Sequence, residues 1–145
     1  MKKHRWKYLA LLALFAFPLP SAAGDFDGSK PMVCATIRAT ECTPGGGCSE
    51  VPPESLGLPR FAVIDVPQKV IHPTRDTGIK RVTAIERMES VDGKLILQGA
   101  EDGIEGIRDG LGWTIAIAVD TGELVLTASG DAVAFVVYGA CTTQN

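Results

Sequence analysis

Four cysteines, Cys34, Cys42, Cys48 and Cys141, are the residues whose type and number could do covalent or metal chemistry in this chain. A zinc site needs four nitrogen or sulfur ligands with closely spaced pairs. No C-x-x-C occurs, and His72 is the only histidine beyond the N-terminal segment, so the set reads as two disulfides and not as a metal centre. A nucleophile triad has as little to build on. His72 sits between Ile71 and Pro73, no Gly-x-Ser-x-Gly elbow occurs, and Ser49, Ser55, Ser90 and Ser129 have no recognisable catalytic setting. The run Asp102-Gly103-Ile104-Glu105-Gly106-Ile107-Arg108-Asp109-Gly110 offers carboxylates on a glycine-rich backbone of the kind calcium takes. Its spacing is not that of an EF-hand loop and Arg108 lies among the ligands, so a solvated loop is the simpler account. These residues imply no catalysis, no cofactor and no resident metal.

Two disulfides require an oxidising compartment, and the N-terminus supplies a route to one. Basic Lys2, Lys3, Arg5 and Lys7 precede an apolar run from Tyr8 to Phe17, followed by Pro18-Leu19-Pro20-Ser21-Ala22-Ala23. That is the three-part plan of a secretory signal occupying residues 1–23, with small residues placed for cleavage after Ala23. The apolar run is roughly half of the ~20 residues a membrane span needs, so no membrane insertion is expected once the signal is cut. All four cysteines lie beyond it, and the expected location is periplasmic or secreted. The whole chain carries a net charge of −3, and the signal takes four of its 14 basic residues and none of its 17 acidic ones. An exported chain this acidic, with scattered basic residues, is a poor partner for nucleic acid.

The elements that must hold these cysteines read as strands. In Trp113-Thr114-Ile115-Ala116-Ile117-Ala118-Val119, large apolar side chains recur at every second position. Asp120-Thr121-Gly122 reverses the chain, Leu124, Leu126 and Ala128 resume the alternation, and Gly130-Asp131 leads into the apolar stretch Ala132 to Tyr138. Upstream, residues 24–31 are polar and read as a flexible leader, and residues 32–145 form the domain. Met32 to Ala39 is a first strand, with Val33, Ala35, Ile37 and Ala39 on one face. Thr40 to Pro59 is dense in Pro and Gly and reads as a long tied loop. Arg60 to Val66 and Lys69 to His72 are strands joined at Pro67-Gln68. Ile79 to Val91 suits a helix or a strand; the Asp92-Gly93 pair before Lys94-Leu95-Ile96-Leu97-Gln98 favours a hairpin and therefore a strand. Consecutive hairpins without a long crossover predict an all-β, single antiparallel up-and-down β-barrel of about eight strands, with a β-sandwich as the alternative.

Sequence alone leaves three pairings for four cysteines. If the first and last strands are antiparallel neighbours, Cys34 falls beside Cys141, and Cys42 is left with Cys48 across Thr43-Pro44-Gly45-Gly46-Gly47. One conflict stands against this: Cys34 shares parity with Thr36 and Arg38, which read as outward, whereas Cys141 shares parity with inward Phe135 and Val137. A bulge at Gly139 would remove it.

The Leu95-Ile96-Leu97-Gln98-Gly99 run, the Gly112-Trp113 pair, the Thr121-Gly122 turn and the terminal Phe135-Val136-Val137-Tyr138-Gly139-Ala140-Cys141 resemble a group of small exported bacterial all-β proteins of unknown function. The likeness covers the C-terminal third and carries no catalytic motif. The broad architecture is similar to that of lipocalin-like and avidin-like barrels, and also to the small periplasmic barrels that inhibit proteases or lysozyme, although neither signature motif is present. The resulting expectation is a non-enzymatic binding protein. Its partner would be a small apolar ligand, contacted by Trp113, Tyr138 and Phe61, or an envelope or secreted protein reached through a projecting loop. The open end would be formed by Thr40 to Pro59 and Glu101 to Gly112. Small Ala116, Ala118, Ala132 and Ala134, if outward, would suit a homodimer.

Overall fold

The computed structural model describes residues 25–74, 81–103 and 105–143; the signal read in residues 1–23 lies outside them. Ten strands make up the described chain, in one antiparallel sheet. They are β1 (Met32–Thr43), β2 (Gly47–Val51), β3 (Phe61–Asp65), β4 (Val70–Pro73), β5 (Thr83–Ala84), β6 (Arg87–Val91), β7 (Lys94–Glu101), β8 (Leu111–Ala118), β9 (Glu123–Gly130) and β10 (Val133–Thr143). A short 3₁₀ turn, Pro53–Leu56, follows β2.

The strand order is β5-β4-β3-β1-β10-β9-β8-β7-β6, with β2 paired to β1 off this path. This corrects the closed up-and-down barrel, and the sandwich alternative with it. The sheet is curled but open, a half-barrel, because its terminal strands β5 and β6 share no ladder. The physical reason lies in residues 83–91. Thr83 and Ala84 pair with β4, whereas Arg87 to Val91 pair with β7. Between them Ile85 N–H donates to the Lys69 carbonyl and Glu86 N–H to that of Gln98, each at 2.9 Å. One stretch of chain thus serves the two edges in succession and never both at once. Residues 81–91 contain no helix, so the two short strands β5 and β6 replace the ambiguous segment; the part of it before Arg81 lies outside the described residues.

Turn chemistry explains the hairpins. Asp92 and Gly93 both take positive φ, 47° and 71°, the double left-handed pair that a two-residue hairpin turn requires. Between β3 and β4 the reversal is longer than the predicted Pro67-Gln68: it spans residues 66–69, with Lys69 at φ 56° and Gln68 N–H donating to Asp65 Oδ1 at 3.0 Å.

The long β1 is the centre of the sheet. It pairs β10 along almost its whole length, β3 over Met32 to Ala35 and β2 over Ala39 to Thr43. The pairing with β10 shifts register between Thr36 and Arg38, so Ile37 is an extra residue opposite Gly139. Before this bulge Met32 and Cys34 face inward; after it Ala39 does, and Ile37 is left 66% exposed. A side chain at Gly139 would run into the Ala35 carbonyl oxygen, which is why glycine faces the bulge. Cys34 and Cys141 are thereby both directed at the core side and form one disulfide, and Cys42 and Cys48 form the other.

The core lies on the concave face. Leu97, Ile115, Leu126, Val137 and Ala39 form one cross-strand row, and Leu95, Ile117 and Leu124 another. Residues 25–31, read as a flexible leader, are laid against one end of this core. Phe26 packs there with its N–H donating to the Val119 carbonyl at 3.2 Å, and Gly28 is buried beside Val66 and Leu95.

Cys34 and Cys141 are 107 residues apart, so their bond removes a large closure entropy from the unfolded chain. The double substitution Cys34→Ala/Cys141→Ala is expected to lower unfolding free energy by about 4 to 5 kcal/mol in urea titration. The separation of six residues between Cys42 and Cys48 sets the smaller expectation for Cys42→Ser/Cys48→Ser. There the loss should be about 2 kcal/mol. Equal losses would contradict the assignment of β1 to β10 as the long-range closure.

Candidate binding site

The two faces of the half-barrel offer different surfaces. The concave side, which supplies the core at one end, is not filled at the other: it encloses a cavity of about 370 Å³. One wall is built by Ile115, Leu124, Leu126, Phe135 and Val137, the other by Ala62, Ile64 and Ile71. Strand alternation places each of these side chains inward, and the curl of the sheet sets the walls facing each other. The mouth carries Leu56, Leu58 and Pro59 from the segment after β2, and Glu101, Gly103, Asp109 and Leu111 from the β7–β8 connection. These belong to the two segments that the sequence assigned to an open end.

Among the described lining residues, the charged side chains Arg81, Glu101 and Asp109 stand at this mouth. The Arg81 guanidinium lies 4.0 Å from the Glu101 carboxylate, in a partly exposed pair. Thr36 donates its hydroxyl to the Pro59 carbonyl at 3.0 Å and ties the overhanging segment to β1. His72 also lines the cavity, with Nδ1 3.0 Å from the carbonyl oxygen of Pro73. Its partner is therefore a neighbouring backbone oxygen and not a hydroxyl, as a triad would need.

Trp113 is the one predicted contact residue that lines the cavity; it is 7% exposed. Its indole lies across Gly99, its cross-strand partner, where even a methyl group would collide with the ring and approach the Ala84 carbonyl. The indole N–H is buried and has no hydrogen-bond acceptor among the described residues. A buried donor without an acceptor costs about 1 to 3 kcal/mol. The other two predicted contacts belong elsewhere: Phe61, 45% exposed, and Tyr138, 41% exposed, do not line the cavity.

Tyr138 instead starts a row on the convex face. Register places Arg38, Tyr138, Val125, Ala116 and Ile96 side by side across five strands. The Arg38 guanidinium carbon stands 5.0 Å from the centre of the Tyr138 ring, a cation–π contact. Exposed Ile37 adjoins this row, which parity reading alone had put on the inner face. Of the four alanines read as outward, Ala116, Ala118 and Ala134 fall on this convex side, and Ala132 is a turn residue with φ 58°.

The third surface is the β1–β2 hairpin. The tip, Thr43 to Gly47, is exposed, and Cys42–Cys48 staples the two strands directly below it. Among the described residues β2 pairs with β1 alone, so its outer edge is open.

Among the described residues no three His, Cys, Asp or Glu gather as a metal site, and no helix is long and apolar enough to cross a membrane. What the fold defines is an all-β, half-barrel protein fastened by two disulfides, a make-up compatible with an extracytoplasmic protein. No family model, no curated protein and no solved structure matches the chain. The likeness to small exported bacterial proteins and to lipocalin-like barrels is thus carried only as far as a curled all-β sheet.

A cavity beside the packed core has an energetic signature. Leu97 is fully buried and does not line the cavity, so Leu97→Ala opens a new void and should cost about 2 to 5 kcal/mol. Leu126 already faces open space, and Leu126→Ala should cost about 1 kcal/mol, since fewer packing contacts are lost. Urea midpoints of the two variants check this; matching losses would mean that the interior is packed solid.

Proposed function

We propose that this chain is exported through cleavage of residues 1–23 and acts without catalysis, by binding a protein of the envelope or the external medium. The mode of action is that of an inhibitor of a protease or lysozyme, or of a related interaction factor. The observation that carries this reading is the stapled β1–β2 hairpin, with an exposed Thr43-Pro44-Gly45-Gly46-Gly47 tip held by a disulfide at its base. A loop fixed in one shape loses little conformational entropy on docking, and affinity rises accordingly. The open edge of β2 adds backbone donors and acceptors that a partner strand can take up. The convex row from Tyr138 to Ile96 adds a surface suited to a partner or to a second copy of the chain.

A second reading, in which the protein carries a small apolar molecule, is favoured by the concave cavity lined by Ile115, Leu126 and Ile71.

Inhibition assays against a lysozyme and a panel of secreted serine and cysteine proteases test the first reading. A Cβ at Gly45 meets nothing within 4 Å, so Gly45→Arg adds bulk at the tip and leaves the fold untouched. The expected result is inhibition of at least one enzyme by the native protein, weakened about tenfold or more by Gly45→Arg at unchanged melting temperature. Lack of inhibition across the panel would remove the inhibitor mode; inhibition that ignores Gly45→Arg would move the contact away from the hairpin.

A further inference from the structure

We propose that the edge strand β6 pairs with β6 of a second copy of this chain, antiparallel about a two-fold axis at Met88, and so joins two half-barrels into a symmetric dimer with one continuous sheet. The contact lies away from the β1–β2 hairpin and does not depend on the function proposed for that hairpin. Three observations carry it.

The first is an open edge with a defined hydrogen-bonding phase. Among the described residues β6 pairs with β7 alone, and all five of its residues, Arg87 to Val91, are exposed. Asp92 and Gly93 make a two-residue reversal, so Val91 and Lys94 are the hydrogen-bonded pair that closes it. Alternation back along the ladder makes Glu89 with Ile96, and Arg87 with Gln98, the next such pairs. The Glu86 N–H that donates to the Gln98 carbonyl at 2.9 Å agrees with this phase. Met88 and Ser90 therefore turn their backbone N–H and C=O groups away from β7, toward the open side.

The second is an apolar side chain without cover. Met88 stands opposite Leu97 and so on the core side of the sheet, yet Leu97 is fully buried and Met88 is 56% exposed. No described strand lies beyond β6 to cover it. With the axis at Met88, the two copies of this residue exchange both backbone hydrogen bonds, and their thioether side chains meet on the core side.

The third is charge, which selects the occupant. Arg87 and Glu89 flank Met88 on the other face of the strand, and neither makes an ion pair among the described residues. In an antiparallel pair centred on Met88, Arg87 of each copy falls opposite Glu89 of the other, so Arg87-Met88-Glu89 is complementary to itself. Moving the axis by one residue, to Glu89, would set two carboxylates directly opposite each other, which is unfavourable. The open edge of β2 has no such match, since Glu50 is its one charged residue and two β2 strands would bring together like charge alone. Charges on an edge strand ordinarily deter pairing; these two deter other strands and favour a copy of their own, in the isologous arrangement of a two-fold dimer.

The test uses protein expressed from the full-length sequence and purified from the periplasm with both disulfides formed. A contact of this size is weak, so sedimentation equilibrium is run up to about 1 mM, where a monomer–dimer equilibrium is expected. Arg87→Glu and Glu89→Arg each set like charges across the axis in two symmetry-related pairs. Each should raise the dissociation constant about tenfold or more, with an unchanged circular dichroism spectrum. The double variant Arg87→Glu/Glu89→Arg restores opposite charges in both pairs and should return the constant to within about threefold of the native one. An equimolar mixture of the two single variants, which form only a mixed pair with matched charges, should dimerise as the native protein does. A chain that stays monomeric up to that concentration would overturn the proposal, as would a dimer indifferent to both reversals. Weakening by the single variants without recovery in the double variant and in the mixture would overturn the register about Met88.

Discussion

The union of β1 with β10 is the constraint on which the rest of this molecule depends. The two strands lie at opposite ends of the domain, yet they are the neighbours that join the β3-β4-β5 side of the sheet to the β9-β8-β7-β6 side. Without that ladder there are two separate small sheets, each with one apolar face and nothing to set against it. Cys34–Cys141 bonds across this seam, directly between register partners. A long-range contact of this kind pays its closure entropy once, and the covalent link removes most of it from the unfolded state. The concave cavity exists because this seam holds two curled walls face to face.

The bulge at Ile37 shows how a single residue redirects that seam. Parity on β1 runs Met32, Cys34 inward, then skips to Ala39 inward, so one strand presents even-numbered residues at its start and odd-numbered ones after the skip. An unbroken strand would have turned Cys34 away from Cys141, or Ala39 away from Val137. With the extra residue, both pairs meet on the core side. The conflict of parity between the two cysteines was visible in the sequence, and Gly139 marked its location. Which strand carried the extra residue was not visible, because glycine serves equally as the bulged residue and as the residue that makes room for one.

Local chemistry was the most legible part of the sequence. Asp92-Gly93 and the alternation of Trp113 to Val119 each carry their own physical cause, a left-handed turn and a half-buried strand, and neither needs a distant partner. What could not be read was everything decided by pairing. β1 runs on through Thr43 and folds back as β2 in a stretch so rich in Pro and Gly that it reads as loop. There the disulfide and the ladder to β10 supply the order that propensity withholds. Likewise, closure of the sheet depends on whether residues 83–91 can serve two edges at once, and no local signal reports that they take them in turn. The candidate cavity was hidden for a related reason. Alternation places Leu126 and Phe135 inward but is silent on whether the inward side meets another side chain or empty space. Tyr138 and Phe61, aromatic like Trp113, fall on the other side of their strands.

The two ends of the half-barrel differ for a reason that lies in the lengths of the connections. At one end the reversals 66–69, 92–93 and 119–122 are tight, so the strands converge and a single aromatic side chain, Phe26, covers the gap. At the other, β2 leads to β3 through residues 52–60 and β7 to β8 through residues 102–110, and the short connections are Asp131-Ala132 and the β1–β2 tip, residues 44–46. Longer connections stand away from the strand ends and leave a mouth between them. The sheet's own twist spreads the walls further there, since neighbouring strands rotate by about 20 to 25° each. Apolar walls of two separated strand groups, a capped floor and a rim with mixed charge then follow from turn length and twist alone. The same geometry explains where the charged residues of the cavity lie: Glu101, Asp109 and Arg81 stand in or beside connections, where side chains reach water, whereas the strands facing the cavity contribute mostly hydrocarbon, with Thr36, His72 and Thr83 as their polar members.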